Sequence, residues 1–280
     1  MKFDLKATAK EKIIIVAHRG AAGGNIPCNT LSAYEIAIRH GADMVEIDVN
    51  KSADDTLFIL HPKMEPIHLN YNGCIRDMTD EEISKLRYVN YDRTPTEHGL
   101  CTLDEALKLM KGRCYINIDK FWDYPIEISK ALRKHDMMDQ VIIKTPPKKN
   151  FLEIIEEYAY EIPYLPVIGS VDNGVHEYIK SLNINYVGAE LVFGKESDEI
   201  AQDSYLEKLH NDNKLIWANS ILYNYKVPLA GGHSDDISLS DDPDKGWGWL
   251  VNKGFDIIQT DWPLALNLYL EQTGKKYKKK

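Results

Sequence analysis

Four ionisable residues near the start of the chain have the types and spacing that chemistry requires. His18 and Arg19 stand at the end of an apolar, β-branched run at residues 13–16, which predicts a buried strand. Glu46 and Asp48 lie two residues apart in a second apolar run, so both carboxylates face one side of the predicted strand. If the two strands are parallel neighbours, an imidazole, a guanidinium and two carboxylates meet at one end of a sheet.

A third carboxylate, Asp119, ends a later apolar run at residues 114–119. Acids in an otherwise apolar strand are costly to bury without a cation. Carboxylate oxygens favour Mg²⁺ or Ca²⁺, whereas zinc favours imidazoles and thiolates. Glu46, Asp48 and Asp119 therefore predict one divalent cation, Mg²⁺ or Ca²⁺. The alternative is that these acids face solvent at the rim of the fold.

A second histidine, His61, follows a short apolar run at residues 57–60. The connection from the preceding strand is too short for a crossover helix, so we predict a hairpin that returns His61 to the carboxylates. Two imidazoles, His18 and His61, suit phosphodiester cleavage, which needs a base for the nucleophile and an acid for the leaving alkoxide. Arg19 and a lysine would hold the phosphate oxygens.

The alternation of strands and helices predicts the elements that position these groups. Apart from the hairpin arm, eight apolar strands, each followed by a helix, lie at 13–16, 44–49, 114–119, 141–144, 164–168, 186–191, 215–219 and 255–260. This α/β pattern, in roughly 250 residues, predicts a (β/α)8 TIM barrel whose strands end at the catalytic face. A doubly wound open sheet is the alternative, but no G-x-G-x-x-G loop follows a strand. We predict one domain, 1–280, with an inserted subdomain at 62–101.

Other residues around the predicted mouth are weaker candidates. Trp217 and Asn219 could line the pocket for the alcohol, although a tryptophan in a strand more often packs in the core. Trp122, after the third strand of the barrel, could contact substrate. The glycine-bearing segment 227–245 is either a lid or a flexible acidic loop, in which we expect His233 to be exposed rather than catalytic.

The composition limits partners and location. A net charge of −9 and a pI near 5.5 argue against broad nucleic-acid binding. No apolar run approaches the roughly 20 residues that a membrane span needs. The N-terminal residues lack the apolar core of a signal peptide, and the four cysteines show no metal spacing, so we expect a cytoplasmic protein, with a processed exported form as the alternative. The lysine-rich end, 275–280, is predicted to be solvated.

Several motifs along the chain resemble those of the glycerophosphodiester phosphodiesterase family. They are HRG at 18–20, P-x-N-T at 27–30, GADMVEIDV at 41–49, the hairpin ending in His61, INIDK at 116–120 and GFDIIQTDWP at 254–263. The resemblance implies a metal-dependent barrel enzyme that cleaves glycerophosphodiesters to glycerol 3-phosphate and an alcohol. It also implies these roles: His18 and His61 as the acid–base pair, Glu46, Asp48 and Asp119 as metal ligands, and Arg19 as a phosphate contact.

The sequence departs from the family pattern at four positions. Cys28 stands where the family usually has Glu, and it is either a reactive thiol or an inert buried one. Pro62 replaces an Asp that could orient the second histidine, so His61 has either a different orienting partner or a lower basicity. Asp119 replaces a Glu. The usual lysine, two places beyond, is here the adjacent Lys120.

On a regular strand Lys120 would point away from Asp119. Either Lys120 curls back where the strand ends, or Lys144 on the next strand takes its place as the phosphate contact. We favour His18 as base and His61 as acid, with the attacker either water or a neighbouring glycerol hydroxyl. Two other functions stay open: a headgroup transphosphatidylase of the sphingomyelinase D type, and a non-catalytic barrel that binds metal and phosphate.

Overall fold

The structure is a computed structural model that describes residues 3–171 and 174–278. The strands are β1 (Ile14–Ala17), β2 (Met44–Lys51), β3 (Leu57–Ile59), β4 (Tyr115–Asp119), β5 (Val141–Thr145), β6 (Tyr164–Ile168), β7 (Gly188–Leu191), β8 (Leu215–Asn219) and β9 (Ile257–Thr260). The helices are α1 (Leu5–Glu11), α2 (Leu31–Arg39), α3 (Glu65–His68), α4 (Asp80–Ser84), α5 (Leu103–Met110), α6 (Pro125–His135), α7 (Lys149–Tyr158), α8 (Val175–Ser181), α9 (Asp203–Asn211), α10 (Asp235–Ser240), α11 (Trp249–Lys253) and α12 (Pro263–Gln272). Within residues 3–171 and 174–278, no helix has both the length and the apolar character that crossing a membrane requires.

Eight parallel strands close into a barrel, which confirms the predicted (β/α)8 fold. The order around the ring is β1-β9-β8-β7-β6-β5-β4-β2, and pairing of β1 with β2 closes it. β3 is the predicted hairpin arm, because it pairs antiparallel with the last residues of β2, as in Val49 with Ile59. The arm therefore lies outside the ring and brings His61 back toward the C-terminal ends of the strands.

The barrel has an inner and an outer core because its strands are buried on both faces. Ile14 and Val16 point into the barrel, whereas Ile15 points outward at the layer of helices. The N-terminal helix α1, which the sequence analysis did not predict, packs Leu5 and Ala9 against the inner cluster. These two residues are spaced i, i+4, so they share one face of a short helix.

The segment after the hairpin arm has a small apolar cluster of its own. The cluster comprises Phe58, Leu60, Leu69, Ile75, Met78, Ile83 and Tyr88. Thr79 and Glu82 form a capping box at the start of α4, and the helix ends at Ser84. The cluster includes residues of the arm itself, so the arm and the inserted segment pack as one unit.

The segment after β8 is more ordered than a flexible acidic loop, because α10 forms within it. The expectation that His233 is exposed is wrong: the imidazole is 8% exposed and stacks on Trp249 with the ring centroids 3.8 Å apart. Its Nδ1 lies 2.6 Å from the carbonyl oxygen of Lys245. Aromatic stacking and this contact account for its burial.

The lysine-rich end is held against the barrel over its described part, contrary to the prediction of a solvated terminus. Lys275 makes an ion pair with Asp244 at 2.8 Å, and the backbone N–H of Lys278 donates to the carbonyl oxygen of Glu11 at 2.9 Å. The last two lysines lie outside the described residues.

Candidate active site

His18 and Asp261 meet because their strands are paired in register. Ala17, the last residue of β1, pairs with Thr260, the last residue of β9, so the residues that follow them stand side by side. His18 Nδ1 lies 2.8 Å from Asp261 Oδ1. Burial alone would lower the pKa of the His18 imidazole, but the hydrogen bond to Asp261 and the charge of Glu46 outweigh it and raise that pKa. His18 therefore has the environment of an imidazolium.

A buried carboxylate, Asp235, fixes the backbone of Asp261 by a hydrogen bond. Asp235 Oδ2 accepts a hydrogen bond from the backbone N–H of Asp261 at 2.8 Å. Its other oxygen accepts from the Ser220 hydroxyl at 2.6 Å, the Trp247 indole N–H at 2.7 Å and the Thr260 hydroxyl at 2.8 Å. Asp235 lies in the segment that the sequence suggested only as a lid or loop, and no local pattern marked it.

The three predicted metal ligands converge. Asp48 on β2 is the direct register partner of Asp119 on β4, and Glu46 lies one strand repeat below Asp48 on the same face. Single ligand oxygens of the three carboxylates all lie within 4.8 Å of one another. Glu46 and Asp48 are buried, whereas Asp119 is about one-third exposed at the mouth. The cluster therefore opens toward the solvent at the catalytic face.

The acidic cluster fits a hard divalent cation. Asp48 Oδ1 is buried and makes no hydrogen bond to any residue in the described part of the chain. A buried oxygen without a donor is rare, and a bound ion is one of its accepted explanations. Burial, followed by the charge of Asp48, raises the pKa of Glu46 to about 8. A cation would relieve both the missing contact and the repulsion, and all the donors are oxygens, which Mg²⁺ and Ca²⁺ favour.

The turn after β1 aims Arg19 at this cluster. Arg19 has a left-handed backbone with φ 56°, and its N–H donates to Glu46 Oε2 at 2.9 Å. Its Nε lies 2.9 Å from Asp48 Oδ2 as an ion pair rather than an aligned hydrogen bond. Gly20 follows with φ 83°, and a Cβ there would stand 2.8 Å from the backbone of Ala33. Only glycine lets the turn approach α2 so closely.

Asn29 is a site residue to which the sequence analysis assigned no role. Thr30 is the actual cap of α2, and Asn29, with φ 57°, turns its side chain toward the cluster. Its Nδ2 donates to Asp48 Oδ2 at 2.8 Å, and the Tyr34 hydroxyl donates to its Oδ1 at 3.0 Å. Asn29 was visible within the P-x-N-T motif at 27–30, but its partner Asp48 was not.

The backbone carbonyl of Pro62 orients His61, although Pro62 stands where the family has an orienting Asp. Its Nδ1 lies 2.8 Å from the carbonyl oxygen of Pro62, and its Nε2 contacts the Nζ of Lys120. Burial lowers the pKa of His61, and the charges of Arg19 and Lys120 lower it further against the opposing effect of Asp48. His61 therefore has the environment of a neutral imidazole, opposite to that of His18.

Lys120 curls back because the strand ends in a left-handed residue. Its φ of 51° breaks the alternation that would have turned the side chain away, and its Nζ lies 3.7 Å from Asp119 Oδ2. Lys120 thus reaches both His61 and the acidic cluster from the position adjacent to Asp119.

Lys144 is paired with a second carboxylate, Glu190, deeper in the barrel. Its Nζ lies 2.5 Å from Glu190 Oε2 and 4.1 Å from the centroid of the Trp217 ring. Burial would lower the pKa of Lys144, but the charges of Glu190 and Asp119 outweigh it, so that pKa is raised. Trp217 itself is fully buried beneath Lys144 and donates to Asn219 at 2.9 Å, so Asn219 rather than Trp217 reaches the cavity.

These side chains surround a cavity of about 220 Å³ at the mouth of the barrel. Trp122 and Tyr223 form part of its wall beside the charged residues. Cys28 stands close to Arg19, but burial raises the pKa of its thiol to about 11 in spite of that positive charge. At neutral pH the thiol is therefore protonated, which favours the inert alternative.

Comparison with known protein families agrees with this geometry. The model of the glycerophosphoryl diester phosphodiesterase family matches residues 18–216, more than half of the chain. The chain belongs to this family. The predicted family resemblance is therefore confirmed. Residues 164–270, which include Asp235 and Asp261, also match the model of a domain of unknown function.

Similar proteins support the family and the fold. A glycerophosphodiester phosphodiesterase of Caldanaerobacter subterraneus subsp. tengcongensis is 30% identical over 143 residues, which cover 51% of this chain and 56% of that protein. The chain thus spans little more than half of this relative. A glycerophosphoryl diester phosphodiesterase of Parabacteroides distasonis superposes with a TM-score of 0.79 and 17% identity, over 100% of this chain and 99% of that one. A phosphodiesterase of Oleispira antarctica was solved in complex with the product sn-glycerol-3-phosphate. It superposes with a TM-score of 0.70 and 19% identity, over 93% of this chain and 97% of that one.

Proposed function

We propose that this family member is a phosphodiesterase that uses one divalent cation to cleave glycerophosphodiesters to glycerol 3-phosphate and an alcohol. The observation that carries the proposal is the convergence, on one cavity, of two differently poised histidines and the acidic cluster. The relative from Caldanaerobacter has this activity by name, and the Oleispira structure holds the corresponding product. Glycerol phosphate is small enough for a cavity of about 220 Å³.

Glu46, Asp48 and Asp119 would hold the cation, Mg²⁺ or Ca²⁺. When bound, it would act as a Lewis acid on a phosphate oxygen. The remaining charge on the phosphate would be met by Arg19 and Lys120, since both cations border the cavity. Lys144 contributes positive potential from below while it stays paired with Glu190.

We assign the general base to His61 on geometric grounds. A lysine ammonium can only donate, so the contact with Lys120 makes His61 Nε2 an acceptor and leaves the ring proton on Nδ1, facing the Pro62 carbonyl. A neutral imidazole with its lone pair at Nε2 can take a proton from the attacking hydroxyl group when the Lys120 ammonium turns from Nε2 to the phosphate. The lowered pKa of His61 points the same way.

His18 then serves as the general acid. Its Nδ1–H donates a hydrogen bond to Asp261, which stabilises the imidazolium and leaves the Nε2–H available to protonate the departing alkoxide. This assignment reverses the order that we favoured from sequence, where neither Asp261 nor Lys120 could be placed beside its histidine. The attacker is either water or a glycerol hydroxyl. The products measured in the test described below distinguish the two.

The test is a screen of glycerophosphodiesters with Mg²⁺ or Ca²⁺ added and glycerol 3-phosphate measured. We expect release that His18→Ala and His61→Ala each abolish with the fold intact. His210→Ala, on the outer helix α9, is the matched control and should retain activity. Substantial activity in both active-site variants would overturn the proposal. A cyclic phosphate as sole product would indicate the transphosphatidylase alternative. Cation binding without hydrolysis would indicate the non-catalytic barrel.

A further inference from the structure

A cavity of about 350 Å³ lies at the end of the barrel opposite the candidate active site. Its walls include Leu215, the first residue of β8, and Asp256, which directly precedes β9. The catalytic cavity lies instead where the strands end, so the two cavities are at opposite ends of the barrel. We call this second cavity the basal pocket. Its charged walls come from α1, from α9 and the turn after it, and from the C-terminal segment: Lys6, Lys10, His210, Lys214 and Lys278.

The basal pocket has an excess of positive charge. Four lysines, Lys6, Lys10, Lys214 and Lys278, line it, whereas its described lining residues include a single carboxylate, that of Asp256. The whole chain has a net charge of −9, so this excess is not the general character of the surface. A concave site lined by charges of one sign concentrates ions of the other sign. The basal pocket therefore attracts anions.

The carboxylate of Asp256 is already occupied by other donors. One oxygen contacts the Nζ of Lys278. The other accepts a hydrogen bond from the backbone N–H of Ile216 at 2.9 Å and lies 3.1 Å from His210 Nε2. Burial would raise the pKa of Asp256, but the hydrogen bond to His210 and the charge of Lys278 outweigh it, so that pKa is lowered. Asp256 thus stays ionised and neutralises Lys278 but not the other lysines.

The other three lysines lack a carboxylate partner. Within residues 3–171 and 174–278, none of Lys6, Lys10 and Lys214 makes an ion pair. Lys6 and Lys10 are spaced i, i+4 on α1, a like-charge arrangement that destabilises a helix. Lys214 donates to the carbonyl oxygen of Tyr186 at 2.7 Å, and its Nζ lies 4.0 Å from the centroid of that ring. A carbonyl and a ring face satisfy a donor without neutralising its charge.

Mutual repulsion affects the ionisation of these lysines. Burial, followed by the charges of Lys6 and Lys180, lowers the pKa of Lys214 to about 8. Burial and the charge of Lys10 also lower the pKa of Lys6. Holding ammonium groups this close to one another costs free energy, and an anion bound between them would offset that cost.

We propose that the basal pocket binds a small oligophosphate anion, of which pyrophosphate is the simplest member. Phosphate oxygens can accept hydrogen bonds from several ammonium groups at once, which suits three unpaired lysines around one cavity. The volume corresponds to about 12 water-sized groups at about 30 Å³ each, enough for two linked phosphate groups. This proposal does not rest on the proposed function, because the basal pocket shares no lining residue with the catalytic cavity.

The test is calorimetry of the full chain with pyrophosphate, in buffer without added divalent cations, with chloride at the same ionic strength as the reference. We expect saturable binding with a dissociation constant that rises as KCl is added, because the contacts are ionic. Lys6→Gln and Lys214→Gln should each raise that constant by at least about tenfold. Lys149→Gln, which removes an exposed lysine of α7, is the matched control and should bind like the wild type.

Thermal unfolding separates a binding role from a structural one. Without pyrophosphate, Lys6→Gln should keep or raise the Tm, because it removes repulsion from Lys10 and Lys214. With pyrophosphate, the wild-type Tm should rise with its concentration, and that of Lys6→Gln should rise less. Binding should also slow the exchange of amide hydrogens with deuterium in α1. Lys6→Gln decides the matter alone if circular dichroism shows that Lys214→Gln does not fold.

Binding no tighter than that of chloride would overturn the proposal. So would binding that survives Lys6→Gln, or an equal loss of binding in Lys149→Gln, which would indicate an adventitious ion only. Binding that is lost in Lys120→Met, or in the presence of excess glycerol 3-phosphate, would assign the anion to the catalytic cavity and would overturn the proposal as well.

Discussion

Asp261 Oδ1 lies 2.8 Å from His18 Nδ1, at the point where the first and last strands of the barrel end side by side. Because this carboxylate raises the pKa of His18, Asp261→Asn should lower it and reduce kcat by about 10- to 100-fold. As an acid, His18 acts when protonated, so the high-pH limb of the kcat profile should move to lower pH. Asp236→Asn, on the exposed side of α10, is the control. An unchanged high-pH limb would remove Asp261 from the acid–base pair.

The contact of Lys120 with His61 predicts the opposite change. Lys120→Met removes a positive charge that helps to lower the pKa of His61, so that pKa should rise. As a base, His61 acts when neutral, and the low-pH limb of the profile should therefore move to higher pH. Lys120→Arg keeps the charge and should leave this limb in place. A shift in both variants would mean that the geometry of Lys120, rather than its charge, controls His61.

Cation affinity should depend on pH through Glu46. Because its pKa is about 8 in the cation-free chain, a cation must displace a proton at neutral pH. We expect the dissociation constant for Mg²⁺ or Ca²⁺, measured by calorimetry, to rise by up to about tenfold for each pH unit below about 8. Glu46→Gln should bind more weakly and lose most of this dependence. An affinity independent of pH would contradict the raised pKa of Glu46.

Asp235 should contribute to stability as well as to the site. Asp235→Ala leaves the donors of Ser220, Trp247, Thr260 and Asp261 without their shared acceptor. We expect a loss of about 3 kcal/mol in the free energy of unfolding, read from the thermal transition. Asp236→Ala, one residue along, should change stability by less than about 0.5 kcal/mol. Equal effects of the two substitutions would contradict this account.

The Cys28 thiol should not take part in the reaction. With a pKa of about 11, about one thiol in a thousand is ionised at pH 8, so alkylation should be slower than for a free cysteine, as mass spectrometry would show. Cys28→Ala should retain kcat within about twofold. A large loss of kcat in this variant, with an intact fold, would reopen a catalytic role for the thiol.

The barrel was predictable because eight apolar runs alternate with helices, and polar residues stand at the ends of most of them. The positions of Glu46, Asp48 and Asp119 followed from strand periodicity alone, and the structure places them together. The pairing of His18 with Asp261 was not predictable, since it depends on the register between strands that are distant in sequence. The sequence showed Asp261 at a strand end but could not assign its partner.

Backbone conformation decides what the sequence left open near the site. The sequence allowed either a Lys120 that curls back where the strand ends or its replacement by Lys144, and the left-handed φ of Lys120 brings it back. Likewise, the sequence has no Asp after His61 to orient the imidazole. The Pro62 carbonyl takes this role, because a main-chain oxygen can accept a hydrogen bond whatever the residue type. Such details depend on where a strand ends, which periodicity does not specify.

The arm β3 supports His61, the proposed base, separately from the strands that carry the other groups of the site. It pairs with β2 outside the ring of eight strands and packs on the small cluster of the inserted segment. A local opening of this unit would therefore withdraw His61 while the barrel stays folded. In rising concentrations of urea, we expect catalysis to fail before circular dichroism changes, and amides of the arm to exchange with deuterium before those of β1. Turnover would then report the stability of the arm, not that of the barrel.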